Sequence, residues 1–255
     1  FKKFILFLFI ISAAPVFLGL SLAINNDQFN SFLVAILTLV AAMLIQIGTN
    51  LINDLYDFIS GADTEDRLGP IRATQSGLLS KKQVKRGAFF CFLLSLLIGV
   101  YLVYVGGVPI LIIGLLSLIS GYCYTAGPYP LAYNGFGDIF VFIFFGLIAV
   151  PGTYYLQSNE LFDINSILVG ASIGFLAVAV LCVNNIRDVE SDRKVNKKTL
   201  VVRFGINKIT ILYDIMIISS YLSILIFIFR NGIYNHLGIL LLLFSLPIAI
   251  KLIID

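Results

Sequence analysis

Long apolar runs follow one another along this chain, separated by short polar breaks. Segments of roughly 20 residues, enough to cross a hydrocarbon core of about 30 Å, fall at 4–24, 31–52, 87–105, 108–126, 136–156, 164–186, 209–230 and 234–254. They predict eight membrane-crossing helices, give or take one, hence an all-α, polytopic transmembrane bundle; the central cavity and cap loops expected with it rest on the acidic stretches and the long 53–86 loop. Threading them alternately through a bilayer puts Lys2, Lys3, the 53–86, 127–135 and 187–208 loops and Lys251 on one side. Of the seventeen Lys and Arg residues, all but Arg230 fall there. The opposite loops, around Asn25–Asn30 and Gln157–Asn165, carry Asp27, Glu160 and Asp163 and no base. Hydropathy alone set this threading, so the charge asymmetry tests it independently. The positive-inside rule then places the basic loops in the cytoplasm. The expected location is the inner (cytoplasmic) membrane, multi-pass, with the 53–86, 127–135 and 187–208 loops on the cytoplasmic side.

Composition agrees. At 59% hydrophobic and 12% charged residues, with a mean hydropathy of +1.00, the chain carries more apolar surface than one globular core can hide. The net charge of +3 is small. Its bases sit beside the membrane, where anionic headgroups or phosphates are the expected partners, which argues against nucleic acid. The first run is long and lacks a small-residue cleavage site, so it is expected to be a retained span, and a start at Phe1 without Met suggests a trimmed amino terminus. Cys91, Cys123 and Cys182 fall inside predicted spans at no metal-ligand spacing and read as small buried hydrophobes. His236, the one histidine, lies at the far-side start of the last run, where a structural or solvated role is expected.

Against this background two acidic stretches stand out, NDLYDFISGADTEDR at 53–67 and NNIRDVESDR at 184–193. They hold more than half of the fourteen Asp and Glu residues, each directly after an apolar run. Carboxylates at the mouth of a membrane segment are costly unless their charge is offset, and therefore mark a functional site. If helix continues through them, Asp54 and Asp57 share one face, as do Asp188 and Asp192. Mg²⁺ suits such a pair: it takes oxygen ligands, keeps waters, and is held by one or two carboxylates plus substrate phosphates. Two helices offering a pair each could hold two such ions bridged by a diphosphate, with Arg67, Arg72, Arg193, Lys197 and Arg203 supplying charge-assisted contacts to it. The bland reading of either cluster alone is a solvated loop with local salt bridges. Asn50, Asn53, Asn184 and Asn185 could cap or bridge helices, or orient ligands from behind the carboxylates.

The chain reads as a single domain over 1–255 with a weak internal echo. An apolar run bearing Asn50 and Asn53 ends in the carboxylates Asp54 and Asp57, a run bearing Asn184 and Asn185 ends in Asp188 and Asp192, and each is followed by a basic loop ending at Gly77 or Gly205. This predicts two pseudo-repeats, about 1–126 and 127–255, facing each other across a shared site. The 53–86 loop is long for a bundle. Its SKKQVKRG end should start the next helix with Ser80 as N-cap, and the rest is expected to cap a cavity.

Three segments resemble the membrane-embedded aromatic prenyltransferases of the UbiA superfamily, and more narrowly the 1,4-dihydroxy-2-naphthoate polyprenyltransferases of menaquinone synthesis. The first runs from Asn53, Asp54 and Asp57 through Gly61, Asp63, Arg67, Gly69, Pro70 and Arg72 to Gln75 and Gly77. The second is YTAGPYPLAYNGFGDIFVFIFFGLIAVPGTYYLQ at 124–157, and the third NNIRDVESDRKVNKKTLVVRFG at 184–205. Departures exist: Lys2, Lys3 and Phe4 replace the family's Arg-Pro-Lys-Thr opening, Asn196 stands where a glycine is usual, and the family fold implies nine spans.

The resemblance implies Mg²⁺-dependent transfer of a polyprenyl group from its diphosphate to the aromatic acid 1,4-dihydroxy-2-naphthoate, with loss of carbon dioxide, giving demethylmenaquinol. By the same resemblance, Asp54, Asp57, Asp188 and Asp192 hold the metals, two or more Mg²⁺ bridging the substrate diphosphate, with Asp63 a further ligand. Asn53, Arg67, Arg72, Arg193 and Lys197, with Asn184 and Asn185, bind diphosphate, and Tyr124 and Asp138 border the reacting carbons. Those last two also read as an interfacial aromatic and a helix-start carboxylate. The isoprenoid tail would lie in a Phe- and Leu-lined tunnel open to the lipid bilayer. Rival readings are prenylation of 4-hydroxybenzoate, haem or homogentisate, and a cation transporter, whose carboxylates would lie nearer the bilayer midplane. The Asp-Gly-x-x-Ala-Arg signature of CDP-alcohol phosphotransferases is absent.

Overall fold

The computed structural model describes residues 2–63 and 72–232, with side chains from Ser12 onward. The described residues are helical, without strands: α1 (Lys2–Asn25), α2 (Phe32–Ser60), α3 (Lys81–Cys123), α4 (Gly137–Val141), a π-helical segment (Phe142–Ile148), α5 (Ala149–Ser158), α6 (Ile164–Arg187), α7 (Val189–Lys194), α8 (Leu200–Phe204) and α9 (Ile206–Arg230). Five of the helical stretches are long and apolar enough to cross a membrane: Phe32–Ser60, Lys81–Cys123, Gly137–Ser158, Ile164–Arg187 and Ile206–Arg230. Their outer faces present large apolar side chains such as Phe32, Tyr104 and Phe229, as lipid contact demands. The run at 234–254, His236 and Lys251 lie outside the described residues.

The runs at 87–105 and 108–126 both fall in α3. A straight helix of 43 residues would extend about 64 Å, twice a hydrocarbon core. It is instead folded back at Gly107, whose φ of 66° and ψ of −155° suit a residue without Cβ. Phe92 consequently packs against Gly121, and Tyr56 reaches Tyr122. Pro109 opens the second half, where its missing N–H costs nothing.

Caps set several ends. Ser31 accepts from Val34 N–H, Ser80 and Gln83 form the expected capping box, and Asp163 accepts from Ser166 N–H at 2.7 Å. Helix α2 runs eight residues past the apolar run at 31–52 and stops at Gly61, so Asn53, Asp54 and Asp57 stand on its last two turns. The second acidic stretch is broken: Asp188, at φ −95° and ψ 8°, ends α6 and begins the short α7.

Close packing brings the middle of the chain together. A Cβ built on Gly174 would stand 2.9 Å from Gly146 Cα, and one on Gly146 would stand 2.9 Å from Gly170 carbonyl oxygen. The π segment and α6 thus meet backbone to backbone, as small residues allow in membranes. This contact lets the start of α4 and the end of α6 border the same opening. At the opposite end, buried Gln157 accepts from Asn30 and Ser31 N–H at 3.0 and 2.9 Å and donates to Ser31 carbonyl at 3.1 Å. It ties α5 to the α1–α2 turn, near a floor of Val34, Leu102, Ile110 and Leu156.

Candidate active site

Between α2, α3, α5 and α6 lies a cavity of about 770 Å³. Its body is apolar, with Phe144, Phe145, Ile110 and Leu156, and its mouth is charged, with Asp57, Asp63, Arg72, Asp188, Asp192 and Lys197. Both acidic stretches therefore open onto one space. Asn53, Asn184 and Asn185 also line it, as do Tyr124 and Asp138.

Lys197 joins the stretches. Its Nζ lies 3.5 Å from Asp57 Oδ1 and 3.3 Å from Asp192 Oδ1, although those side chains are only 5% and 4% exposed. Buried carboxylates need such partners, because desolvated charge is expensive. Burial alone would lower the Lys197 ammonium, but Asp57 and Asp192 outweigh it and hold it above the ordinary lysine range. Burial raises Asp192, and Lys197 pulls it back only partly. Arg72 lies 3.4 Å from Asp63 and 3.8 Å from Asp57.

Tyr124 lines the mouth, and Tyr133, which does not line the cavity, touches Asp57 there. Burial, then the charges of Asp138, Asp57 and Asp192, pushes the Tyr124 phenol above its ordinary range. Tyr133 is raised likewise by burial and Asp57, so both phenols keep their protons as donors at neutral pH. Tyr133 hydroxyl donates to Asp57 Oδ1 at 2.9 Å.

Some residues read from the sequence stand elsewhere. Asp54 does not line the cavity; its carboxylate is buried and accepts the backbone N–H groups of Ala73 at 3.1 Å and Thr74 at 3.3 Å. It anchors the turn after Arg72, since the α2 azimuth that points Asp57 at the cavity turns Asp54 toward the loop. Arg193 faces solvent and pairs with Glu190 at 3.0 Å. Arg203 holds the Lys198 and Asn134 carbonyls. Arg67 lies outside the described residues. Conversely, Arg187 lines the cavity, forks onto Asp188 at 2.7 and 2.8 Å and donates to Asn184 at 3.0 Å. A base beside an acid at a helix C-terminus signals this pairing. Tyr133 had no such local signal, because its partner Asp57 is 76 residues away. Asn196 adopts φ 55°, the left-handed region where asparagine is the tolerated substitute for glycine. That explains why it can stand at a usual glycine position.

The donor set fits Mg²⁺. It is made of oxygens, and Asn53 Oδ1 in the cavity wall is buried with no hydrogen-bond partner. Among the described residues no three acidic, His or Cys side chains gather into a ready cage, so an ion here would need water and phosphate oxygens to complete its coordination.

Fold and site thus define a class: a multi-pass helical membrane protein with paired carboxylates at the mouth of an apolar chamber. Comparison with known proteins narrows it. Residues 12–255 match the UbiA prenyltransferase family, and the chain belongs to it. The 1,4-dihydroxy-2-naphthoate octaprenyltransferase of Haemophilus influenzae is 37% identical over 251 residues, covering 94% of this chain and 80% of that protein. The protein of the same description from Escherichia coli is 42% identical over 198 residues, 75% of this chain and 64% of that one. A solved structure of a UbiA homolog from Archaeoglobus fulgidus, bound to DMAPP and Mg²⁺, shares the fold, with a TM-score of 0.64 at 17% identity over 95% of this chain and 86% of that one.

Proposed function

We propose that this aromatic prenyltransferase moves a polyprenyl group from polyprenyl diphosphate onto 1,4-dihydroxy-2-naphthoate, with loss of carbon dioxide, giving demethylmenaquinol. The observation that carries the reading is the convergence of Asp57, Lys197 and Asp192 at the head of an apolar cavity. The naphthoate octaprenyltransferases at 37% and 42% identity support the acceptor. The DMAPP and Mg²⁺ of the Archaeoglobus homolog support the donor chemistry.

Asp57 and Asp192, with Asn53, Asp63 and Asp188 beside them, would hold Mg²⁺. The bound metal supplies Lewis-acid neutralisation of the diphosphate leaving group. Lys197, Arg72 and Arg187 add fixed positive charge at the same place, where preorganised groups stabilise charge without reorganising. The allylic C–O bond breaks with its electron pair on the diphosphate, a ring carbon of the acceptor bonds to the freed allylic carbon, and the ring's bond to its carboxylate carbon breaks with the electron pair kept by the ring, so that carbon dioxide leaves and the charge brought in by the allylic carbon is neutralised. Tyr124 and Asp138 border that carbon. The Phe- and Leu-lined chamber excludes water that would otherwise consume an allylic cation, and the tail lies along it toward lipid.

The same reading assigns residues 1–126 and 127–255 as two pseudo-equivalent halves supplying one acidic wall each. The abundance of Lys and Arg on the loops at the site end assigns that end to the cytoplasmic face of the inner membrane. The test is purified protein with a prenyl diphosphate, Mg²⁺ and, in turn, the naphthoate, 4-hydroxybenzoate, haem and homogentisate. Metal-dependent prenylation of the naphthoate is expected. Turnover of 4-hydroxybenzoate but not the naphthoate would overturn the acceptor assignment. Ion flux in liposomes needing no prenyl diphosphate would overturn the enzyme reading.

A further inference from the structure

Tyr133 belongs to neither acidic stretch, yet it touches the first and the basic segment that directly follows the second. Its hydroxyl lies 2.9 Å from Asp57 Oδ1 and 2.6 Å from Ser60 Oγ, on the last turn of α2. Its ring lies beneath Lys197, with Nζ 5.2 Å from the centroid, and its backbone carbonyl accepts Lys198 N–H at 2.9 Å. A phenol carries one proton. The carboxylate has none to give and takes it, so the Ser60 hydroxyl proton is shared between Tyr133 oxygen and the Asp57 backbone carbonyl, 3.0 Å away. Arg203 closes the same seam, donating to Asn134 carbonyl at 2.8 Å and to Lys198 carbonyl at 3.0 Å.

The consequence concerns preorganisation. Lys197 is a point charge on a flexible four-carbon stem, and Asp57 stands near a helix end. An aromatic face below the ammonium restrains the first, and a donor on Oδ1 selects one orientation of the second. Ordering completed on folding is not charged again when ligand arrives.

We propose that Tyr133 is a positioning residue that couples the two acidic stretches, holding Asp57 with its hydroxyl and Lys197 with its ring so that metal and diphosphate meet a single assembled site. The inference rests on the diphosphate site proposed above. It separates two contributions of one side chain. Tyr133→Phe keeps the ring under Lys197 and loses the donor to Asp57, whereas Tyr133→Leu loses both.

The experiment is calorimetric titration of detergent-solubilised wild type, Y133F and Y133L with Mg²⁺ and inorganic pyrophosphate, paired with steady-state prenyl transfer. Y133F should bind about 5-fold more weakly and Y133L about 50-fold. KM for the prenyl diphosphate should rise in the same order while KM for the aromatic acceptor stays put and the ligand-free thermal midpoint of Y133F is unchanged. Should Y133L not fold, the Y133F split between the two KM values still decides the matter. Wild type that takes up no Mg²⁺-pyrophosphate removes the site reading and this inference together. Wild type that binds while Y133F and Y133L bind equally well removes the inference alone. Equal losses toward donor and acceptor, with a lowered midpoint, reduce Tyr133 to a packing residue and also overturn it.

Discussion

Lys197 Nζ stands 3.5 Å from Asp57 Oδ1, although the two residues belong to opposite halves of the chain. Both side chains are largely buried, at 13% and 5% exposure, so water does little to weaken their attraction. Because Lys197 also reaches Asp192, one ammonium offsets two carboxylates in the cavity wall. An incoming metal and diphosphate would find acid and base already arranged in alternation.

Replacing either carboxylate by its amide keeps volume and removes charge. D57N and D192N should each lower prenyl transfer on the order of 100-fold, the scale of losing a preorganised electrostatic group. Helical content should stay as in wild type. Steady-state kinetics beside circular dichroism checks both points, and near-normal turnover in both variants would sink the assignment.

Lys197→Met tests the shared cation. Without it Asp57 and Asp192 keep their burial and lose their common partner, so the thermal midpoint in metal-free buffer should fall by several degrees. Added Mg²⁺ should recover more stability in K197M than in wild type. The pH response has a definite sign. Asp192 already sits above the ordinary carboxylate range because burial outweighs the pull of Lys197. Losing that pull raises it further, so protonation on acidification should remove Mg²⁺ binding at a higher pH in K197M than in wild type. A metal-binding titration across pH reads this directly, and an unmoved acid limb contradicts it.

Asp54 should behave differently from Asp57. Its work in the structure is to hold Ala73 and Thr74, which a carboxamide oxygen can partly continue. D54N should therefore lose about 10-fold in transfer against the roughly 100-fold of D57N, and D54A should lose more than D54N. Limited proteolysis should cut D54A faster in the 72–79 turn. Equal and complete loss in D54N and D57N would instead make Asp54 a direct ligand.

Gly174 tests the close contact in the middle of the bundle. A Cβ there meets Gly146 Cα at 2.9 Å and Phe142 carbonyl at 3.0 Å, atoms of backbone that cannot rotate away. G174A should destabilise by about 1–3 kcal/mol, the usual range for overpacking. G174L should fail to fold or should part α6 from the π segment. Thermal unfolding in detergent measures the first, and a G174A midpoint equal to wild type would show that the contact has slack.

How far the site could be read beforehand differs residue by residue. Asp57, Asp192 and Lys197 were visible as charges placed after apolar runs, and Ser80 as a cap ahead of a helix. Those signals are local, since a span, a cap or a misplaced carboxylate declares itself within a turn or two. The distinction between Asp54 and Asp57 was not visible. Three apart on a helix they share a broad face, and only the docking of the 72–79 turn and the azimuth of α2 decide which one meets the cavity. Tyr133 carried no signal for the same reason, its partners being distant in sequence.

Taken alone, the amino-acid order determined the helical, membrane-spanning class, the places of the long apolar runs, the gathering of charge into the breaks between them and the oxygen-rich chemistry offered there. Hydrocarbon and water act on each segment separately, so these properties follow from neighbouring residues. The folded chain alone decided that α3 doubles back at Gly107, that Asp54 anchors a turn, and that Tyr133 and Lys197 bind one acidic stretch to the other. Those outcomes depend on how helices rotate and press against each other, and that is a balance of contacts between residues far apart in the chain.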